Sequence, residues 1–325
     1  MVTLASGVSV GGSIDADNYN LLRDRVVKIL GTGEDRYGYG QSTVSTQVTG
    51  NDILNDIDGD LVSAQHMANL RADIEKCWKH QTTATFNLGE VATDDFISAG
   101  TSTADATYNQ YFYYVNQIDT NKLNLANGQY TDTSHFNNST PSSWGGNKST
   151  TEWRDAYFTI AFGSNENRRF FFNSGGQIIF TWTTGSIGTG ASAQKNQNWK
   201  NLIANMNYTA THASREATAS TANALYPGNW ITLLTSTNDT STAGGDYAEN
   251  EGFIQVRCID NGATIQYYIR LNDKDIGDDT TPSDGFSYST DEPVTLPISV
   301  NITTRTATGS WVSRAIPSVT NPNTL

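Results

Sequence analysis

Four histidines, two cysteines and a scatter of carboxylates are the side chains from which this 325-residue chain could build chemistry. His66, His80, His135 and His212 stand in no H-E-x-x-H arrangement, the spacing that sets two imidazoles on one helix face to hold zinc. His66 reads as a polar helix position. Cys77 and Cys258 are far apart, which gives neither a disulfide framework nor a metal knuckle. Each falls at an apolar-periodic position, so a small buried hydrophobe is the expected role. There is no G-x-S-x-G elbow. The stretch "GTGASA", residues 188–193, matches G-x-G-x-x-A in form, but it follows a hairpin rather than opening a βαβ unit, so it reads as a glycine loop. In "NDKDIGDD", Asp273, Asp275 and Asp278 could face Ca²⁺, yet the register and distal Glu of an EF-hand are missing, and a solvated acidic turn is expected. Asp94 or Asp95 with Glu152 could be nominated as an acid pair for glycoside hydrolysis, but nothing in the spacing sets their separation. No catalytic, cofactor-binding or metal residue is expected.

The elements that would hold any such residues are β-rich. Ser, Thr, Asn and Gly dominate, favouring short strands and many turns. The net charge of −13 argues against a nucleic-acid partner, which needs Lys and Arg to displace counterions. Arg168-Arg169 reads as a solvated strand end. The N-terminus lacks a basic n-region and a long apolar h-region, so no signal peptide is expected, and no apolar run is long enough for membrane insertion. Reduced cysteines and a cytosolic site of synthesis follow as expectations.

The composition shifts near residue 81, dividing an N-terminal helical unit (1–82, for attachment or oligomerisation) from a β-sandwich or jelly-roll-like domain (83–325) with one short internal helix. The fold class expected is mainly β, with a small α-helical N-terminal unit. That unit contains a repeat: "IDADNYNLLRDRVVKIL" and "VSAQHMANLRADIEKCW" align at an offset of 48 residues. Asp15 and Ser63 are the expected N-caps. Tyr19, Leu22, Val26 and Ile29 in one copy, and Met67, Leu70, Ile74 and Cys77 in the other, form helical stripes that need a partner surface.

Further along, Asn261-Gly262 suits a two-residue hairpin turn pairing Cys258 with Ile265, Val256 with Tyr267 and Ile254 with Ile269. "PVTLPISVNI" places Val294, Leu296, Ile298, Val300 and Ile302 on one face, and Pro297 marks it as an edge or bulged strand. "YFTIAF" and "NWITLL" read as strands, and Trp199, Leu202, Ile203 and Met206 as the stripe of the short helix. Residues 130–152 and 236–250 read as polar loops. "RRFFFNSGGQIIF" reads as a hairpin turning at Ser174-Gly175, with Phe170 and Ile179 on one face, Phe171, Ile178 and Phe180 on the other, and Phe172 beside the turn. Both faces need cover, from the chain itself or from another subunit.

"YNLLRDRVVKILGTGEDRYGYGQ", the helix ending in "KHQT", the stretch "RRFFFNSGGQIIF" and "NWKNLIANM" together resemble a virion structural protein, tail- or fibre-like, of T4-like tailed phages of marine bacteria, including cyanophages. The resemblance implies a non-enzymatic late protein of the tail or its fibres, located in the virion after assembly in the host cytoplasm. It carries no known functional residues or cofactors. Its implied partners are copies of itself, as a trimer, and other virion proteins. The alternatives are a neck or head decoration protein and a receptor-binding module that recognises host surface glycans through exposed aromatics, with Trp144, Trp153 and Trp230 as candidates. The expected contact residues are Tyr19, Leu22, Val26, Met67, Leu70, Ile74, Phe170, Phe171, Phe172, Ile178 and Phe180.

Overall fold

The computed structural model describes residues 16–32, 38–48, 62–91, 108–145, 152–189, 193–204, 206–211, 231–237, 253–273, 278–280, 288–290, 293–320 and 325. The chain divides into two compact units. The first gathers residues 1–131, 169–176 and 306–315, and the second gathers 132–168, 177–305 and 316–325. The units do not part at residue 82, because the first continues through a further helix and takes two short segments from later in the chain.

Three helices build the first unit: α1 (Ala16–Leu30), α2 (Ala64–Gln81) and α3 (Tyr108–Thr120). The repeated pairs Tyr19 and Met67, Leu22 and Leu70, Val26 and Ile74, and Ile29 and Cys77 are all buried in one apolar cluster. Each of the buried Leu, Val, Ile and Met side chains among them stabilises the unit by about 1.5–3 kcal/mol relative to exposure. α2 starts at Ser63 as expected, in a reciprocal capping box. Ser63 Oγ accepts from the His66 N–H, and the His66 ring Nδ1 accepts from the Ser63 N–H, both at 3.2 Å. The expected cap Asp15 lies outside the described residues. α3 departs from the β-rich reading of this region. Its Tyr-rich composition favours strand, but Tyr111, Tyr114, Val115 and Ile118 recur at helical spacing and are buried against α1 and α2. Residues 38–48 have no regular structure and are strapped to these helices. The fully buried Asp73 carboxylate accepts from the amides of Val44 and Ser45 and from Ser45 Oγ at 2.6 Å.

Next in chain order come β1 (Tyr130–Ser139), β2 (Glu152–Ala161), α4 (Asn165–Asn173), β3 (Gln177–Thr184), α5 (Ala193–Ile203) and β4 (Tyr208–Ala210). They are followed by β5 (Ile231–Thr237), β6 (Phe253–Asp260), β7 (Thr264–Asp273), β8 (Asp278–Thr280), β9 (Tyr288–Thr290), β10 (Ile298–Ala307) and β11 (Ser318–Thr320). One sheet has the order β1-β10-β3-β4 and a second has the order β11-β2-β7-β6-β5, while β8 and β9 form a ribbon. Among the described residues the chain is therefore a mixture of five helices and two antiparallel sheets. In the second unit Phe180 of one sheet meets Phe158 and Tyr267 of the other, with ring centroids 5.7 and 5.0 Å apart.

The stretch Arg168–Phe180 is not a hairpin. Residues 165–173 are helix α4, and only Gln177 onward is strand. Ser164 Oγ accepts from the Asn167 N–H at 3.0 Å and starts the helix. Its end is a Schellman cap: Gly176 N–H donates to Phe171 O at 2.9 Å and Gly175 N–H to Phe172 O at 3.0 Å, with Gly175 at φ +84. A Cβ on Gly175 would stand 2.7 Å from Leu125 Cβ, so this glycine serves both its conformation and its contact. The helix buries Phe170, Phe171 and Phe172 together. Arg168 and Arg169 are also buried, at 3% and 6% exposure, rather than solvated.

The β6–β7 hairpin turns one residue later than the Asn261-Gly262 reading. Cys258 pairs with Tyr267, Val256 with Ile269 and Ile254 with Leu271, and Gly262 takes the first central turn position at φ +79. The Asp260 carboxylate accepts from the Gly262 N–H at 2.8 Å, which fixes that turn. Because each partner moves by two residues, the faces are unchanged, and all six side chains are fully buried. Val294, Leu296, Ile298, Val300 and Ile302 share one buried face as expected. β10, however, lies between β1 and β3, not at an edge, since Pro297 precedes its first residue. β1 occupies a stretch that reads as loop because its polar side chains bond across to β10: Ser134 to Asn301 at 2.8 Å and Ser139 to Ser299 at 2.6 Å.

Candidate functional site

Three of the segments that carry the resemblance, around Tyr39, His80–Gln81 and Phe170–Ser174, converge on one buried node in the first unit, whereas "NWKNLIANM" lies in the second. Tyr39, Gly40 and Gln41 donate their backbone N–H groups to Ile29, Gly31 and Leu30 at 2.9–3.0 Å and so close the C-terminus of α1. The Tyr39 hydroxyl accepts from Gln81 Nε2 at 2.7 Å and donates to the Lys122 carbonyl at 2.5 Å. His80 Nε2 donates to the Ser174 carbonyl at 3.0 Å, and Asn173 Nδ2 to the Gly38 carbonyl at 3.3 Å. Arg314 stands over the Phe170 ring at 5.0 Å and donates to Gly40 O at 3.1 Å. Gly40 is required here, because it has φ +67 and a Cβ would fall 2.5 Å from the Phe170 ring. Burial pushes the Tyr39 phenol well above its ordinary range and the His80 imidazole down to about 4. These groups point at one another and at backbone, so the node holds elements together.

Two buried ion pairs mark the ends of the core face of β6–β7 in the second unit. Arg168 pairs with Asp260, at 3% and 2% side-chain exposure, and Lys195 of α5 pairs with Asp273 at 2.9 Å. Asp273 is thus interior rather than part of a solvated turn. A Cβ on Gly145, at φ +72, would overlap its carboxylate. Asp275 and the side chain of Asp278 lie outside the described residues, as do Asp94, Asp95, His212, Trp230 and the side chain of Glu152. Cys77 and Cys258 are both fully buried, as expected. Ala193 of "GTGASA" opens α5, but β4 returns antiparallel to β3, so no βαβ crossover forms there. Among the described residues no group of three or more His, Cys, Asp or Glu could hold a metal ion, and no helix is long and apolar enough to cross a membrane.

The eleven expected contact residues are all buried within the single chain, none more than 7% exposed. Their apolar faces are already covered. Trp144 is also interior, edge-on to Trp199 at 4.8 Å. Trp153 is different, being 51% exposed.

Trp153 belongs to the outward face of the five-stranded sheet, where the register lays out a grid. One row across β6, β7 and β2 is Arg257, Tyr268 and Tyr157, the next is Gln255, Arg270 and Asp155, and Asn272 and Trp153 follow. Arg270 is fixed in the middle of this face. It forks onto Asp155 at 2.9 and 2.8 Å and lies over the rings of Trp153 at 4.8 Å and Tyr268 at 5.1 Å. Tyr157 and Tyr268 are in ring contact at 4.6 Å. Burial, and then the hydrogen bond to Asp155, raise the Tyr268 phenol far above its usual value, so it stays neutral. The face thus presents flat aromatic rings beside a fixed Arg270–Asp155 pair. Of this grid only Trp153 is singled out by the sequence reading. The alternation in "EWRDAYFTIA" beside "TIQYYIRLND" is the signal that places its neighbours on the same face.

The fold and this face define a mixed helix-and-antiparallel-sheet protein with a structural node and an open aromatic surface. Comparison with family models, curated proteins and solved structures finds no match for the chain.

Proposed function

We propose that the chain is a non-enzymatic structural subunit of a tailed-phage virion, part of the tail or its fibres, with the two sheets of the second unit packed as a β-sandwich. The observation that supports this is the node. Three of the segments on which the resemblance rests, "YGYGQ", "HQT" and "FFNSGG", meet through Tyr39, Gln81, His80, Asn173 and Ser174, in buried structural roles. Buried residues that fix framework geometry are what a structural part needs. Contacts between copies then use surfaces other than the eleven residues already buried. Quantitative mass spectrometry of purified particles from the source lysate tests the reading: a fixed copy number supports it, and absence from particles refutes it. Light scattering of the purified chain tests the trimer, which would weigh about three times 35.4 kDa.

A second reading, a receptor-binding module for host surface glycans, is favoured by the exposed Trp153 and Tyr157 on the outward sheet face.

A further inference from the structure

The geometry points to a ligand class for that face: a short acidic oligosaccharide, with sugar rings lying on Trp153 and Tyr157 and a carboxylate held by Arg257. The inference rests on the glycan-binding reading and makes it specific. Trp153 and Tyr157 are four residues apart on one face of β2, a span of about 13 Å, which suits several linked rings better than one. Both are open to solvent, at 51% and 37% exposure, and both are anchored from beside or beneath, Trp153 by Arg270 and Tyr157 by Tyr268. Aromatic faces accept the apolar C–H side of a sugar ring, while Asp155 and Arg270 form a rigid polar pair between them for hydroxyl groups.

Charge decides between neutral and acidic sugars. Arg270 is neutralised by Asp155, whereas Arg257, in the row with Tyr268 and Tyr157, has no acidic partner among the described residues, and its Nε is buried without a hydrogen bond. Arg257 stands two strands from Tyr157, about 10 Å away, within reach of a substituent on a ring seated there. A guanidinium matches a carboxylate as a planar fork. This is a local positive centre in a chain of net charge −13, so a polyanion such as nucleic acid is repelled overall, while a short ligand with isolated carboxylates is accepted.

The experiment is calorimetric titration of the full chain with trigalacturonate, hyaluronan tetrasaccharide and sialyllactose, with fully methyl-esterified trigalacturonate as the uncharged control. At least one acidic probe is expected to bind, with an affinity that falls as salt rises. For trigalacturonate the ester is expected to bind about tenfold more weakly, the loss of one good contact. Arg257→Gln should reduce the acidic probe to the level of an uncharged one, and Trp153→Ala should abolish binding of both. Equal binding of acid and ester, unaffected by Arg257→Gln, overturns the acidic assignment and leaves the glycan reading standing. No binding of any probe overturns both. Self-association of the chain that disappears in Trp153→Ala would assign the face to a second copy and also overturn both.

Discussion

Lowering the pH from 7 to 4 is expected to weaken the helical unit through His80. The imidazole is fully buried, its Nε2 donates to the Ser174 carbonyl and its Nδ1 has no hydrogen-bond partner, so a second proton would be a buried, unsolvated charge. Burial moves its pKa from 6.5 to about 4. Because the folded value lies below the unfolded one, the unfolded chain binds more protons across this window. The stability contribution is complete above pH 6.5 and is lost as the pH falls toward 4. The loss is about 0.8 kcal/mol at pH 6, about 2 kcal/mol at pH 5 and about 3 kcal/mol at pH 4. His80→Gln keeps an N–H donor for Ser174 but does not titrate. Urea unfolding followed by far-UV circular dichroism, which reads mainly α1, α2 and α3, should therefore show native protein losing about 3 kcal/mol more than the variant between pH 7 and pH 4. Carboxylates and His135 titrate in both proteins and cancel in the difference. Parallel pH profiles would refute the buried, neutral assignment of His80.

Other substitutions test the interior. Arg168→Met should cost about 3–5 kcal/mol by stranding Asp260, and Arg168→Met with Asp260→Leu should recover only part of that in urea midpoints, because the leucine also loses the bond from the Gly262 N–H. Lys195→Met should behave alike through Asp273, and calorimetry should show the loss in the transition of the second unit. Gly40→Ala should lower the melting temperature, with a loss of more than about 1 kcal/mol, because it meets both a positive φ and the Phe170 ring. Gly175→Ala should destabilise through the same pair of causes at the end of α4, against Leu125.

Periodicity made part of this fold legible. The stripes of α1 and α2, the Ser63 cap, the buried face from Val294 to Ile302 and the helix around Trp199 follow from apolar spacing alone. Where two physical readings share a pattern, sequence reasoning took the wrong one. Three consecutive phenylalanines before Asn-Ser-Gly-Gly suit a hairpin, but Gly175 and Gly176 also suit a helix cap, and Ser164 at the other end supplies the start signal. α3 was hidden by its tyrosines, and β1 by side chains that bond across strands instead of packing. The hairpin register moved because Asp260 binds the Gly262 amide, a side-chain effect invisible to pattern matching. The alternation of the β6–β7 hairpin already put Gln255, Arg257 and Tyr268 on its outward face, but as a binding candidate this face was legible only through Trp153, since Arg270, Asp155 and Tyr157 come together only when β2 and β7 pair.

The proposed virion assignment is tested most directly by counting this chain in particles purified from lysates of the culture that produces it, using isotope-labelled peptides from α2 and β7 as standards. A constant copy number per particle, with the protein retained through density-gradient purification, is the result predicted. Abundant chain in the lysate but none in the particles would contradict it.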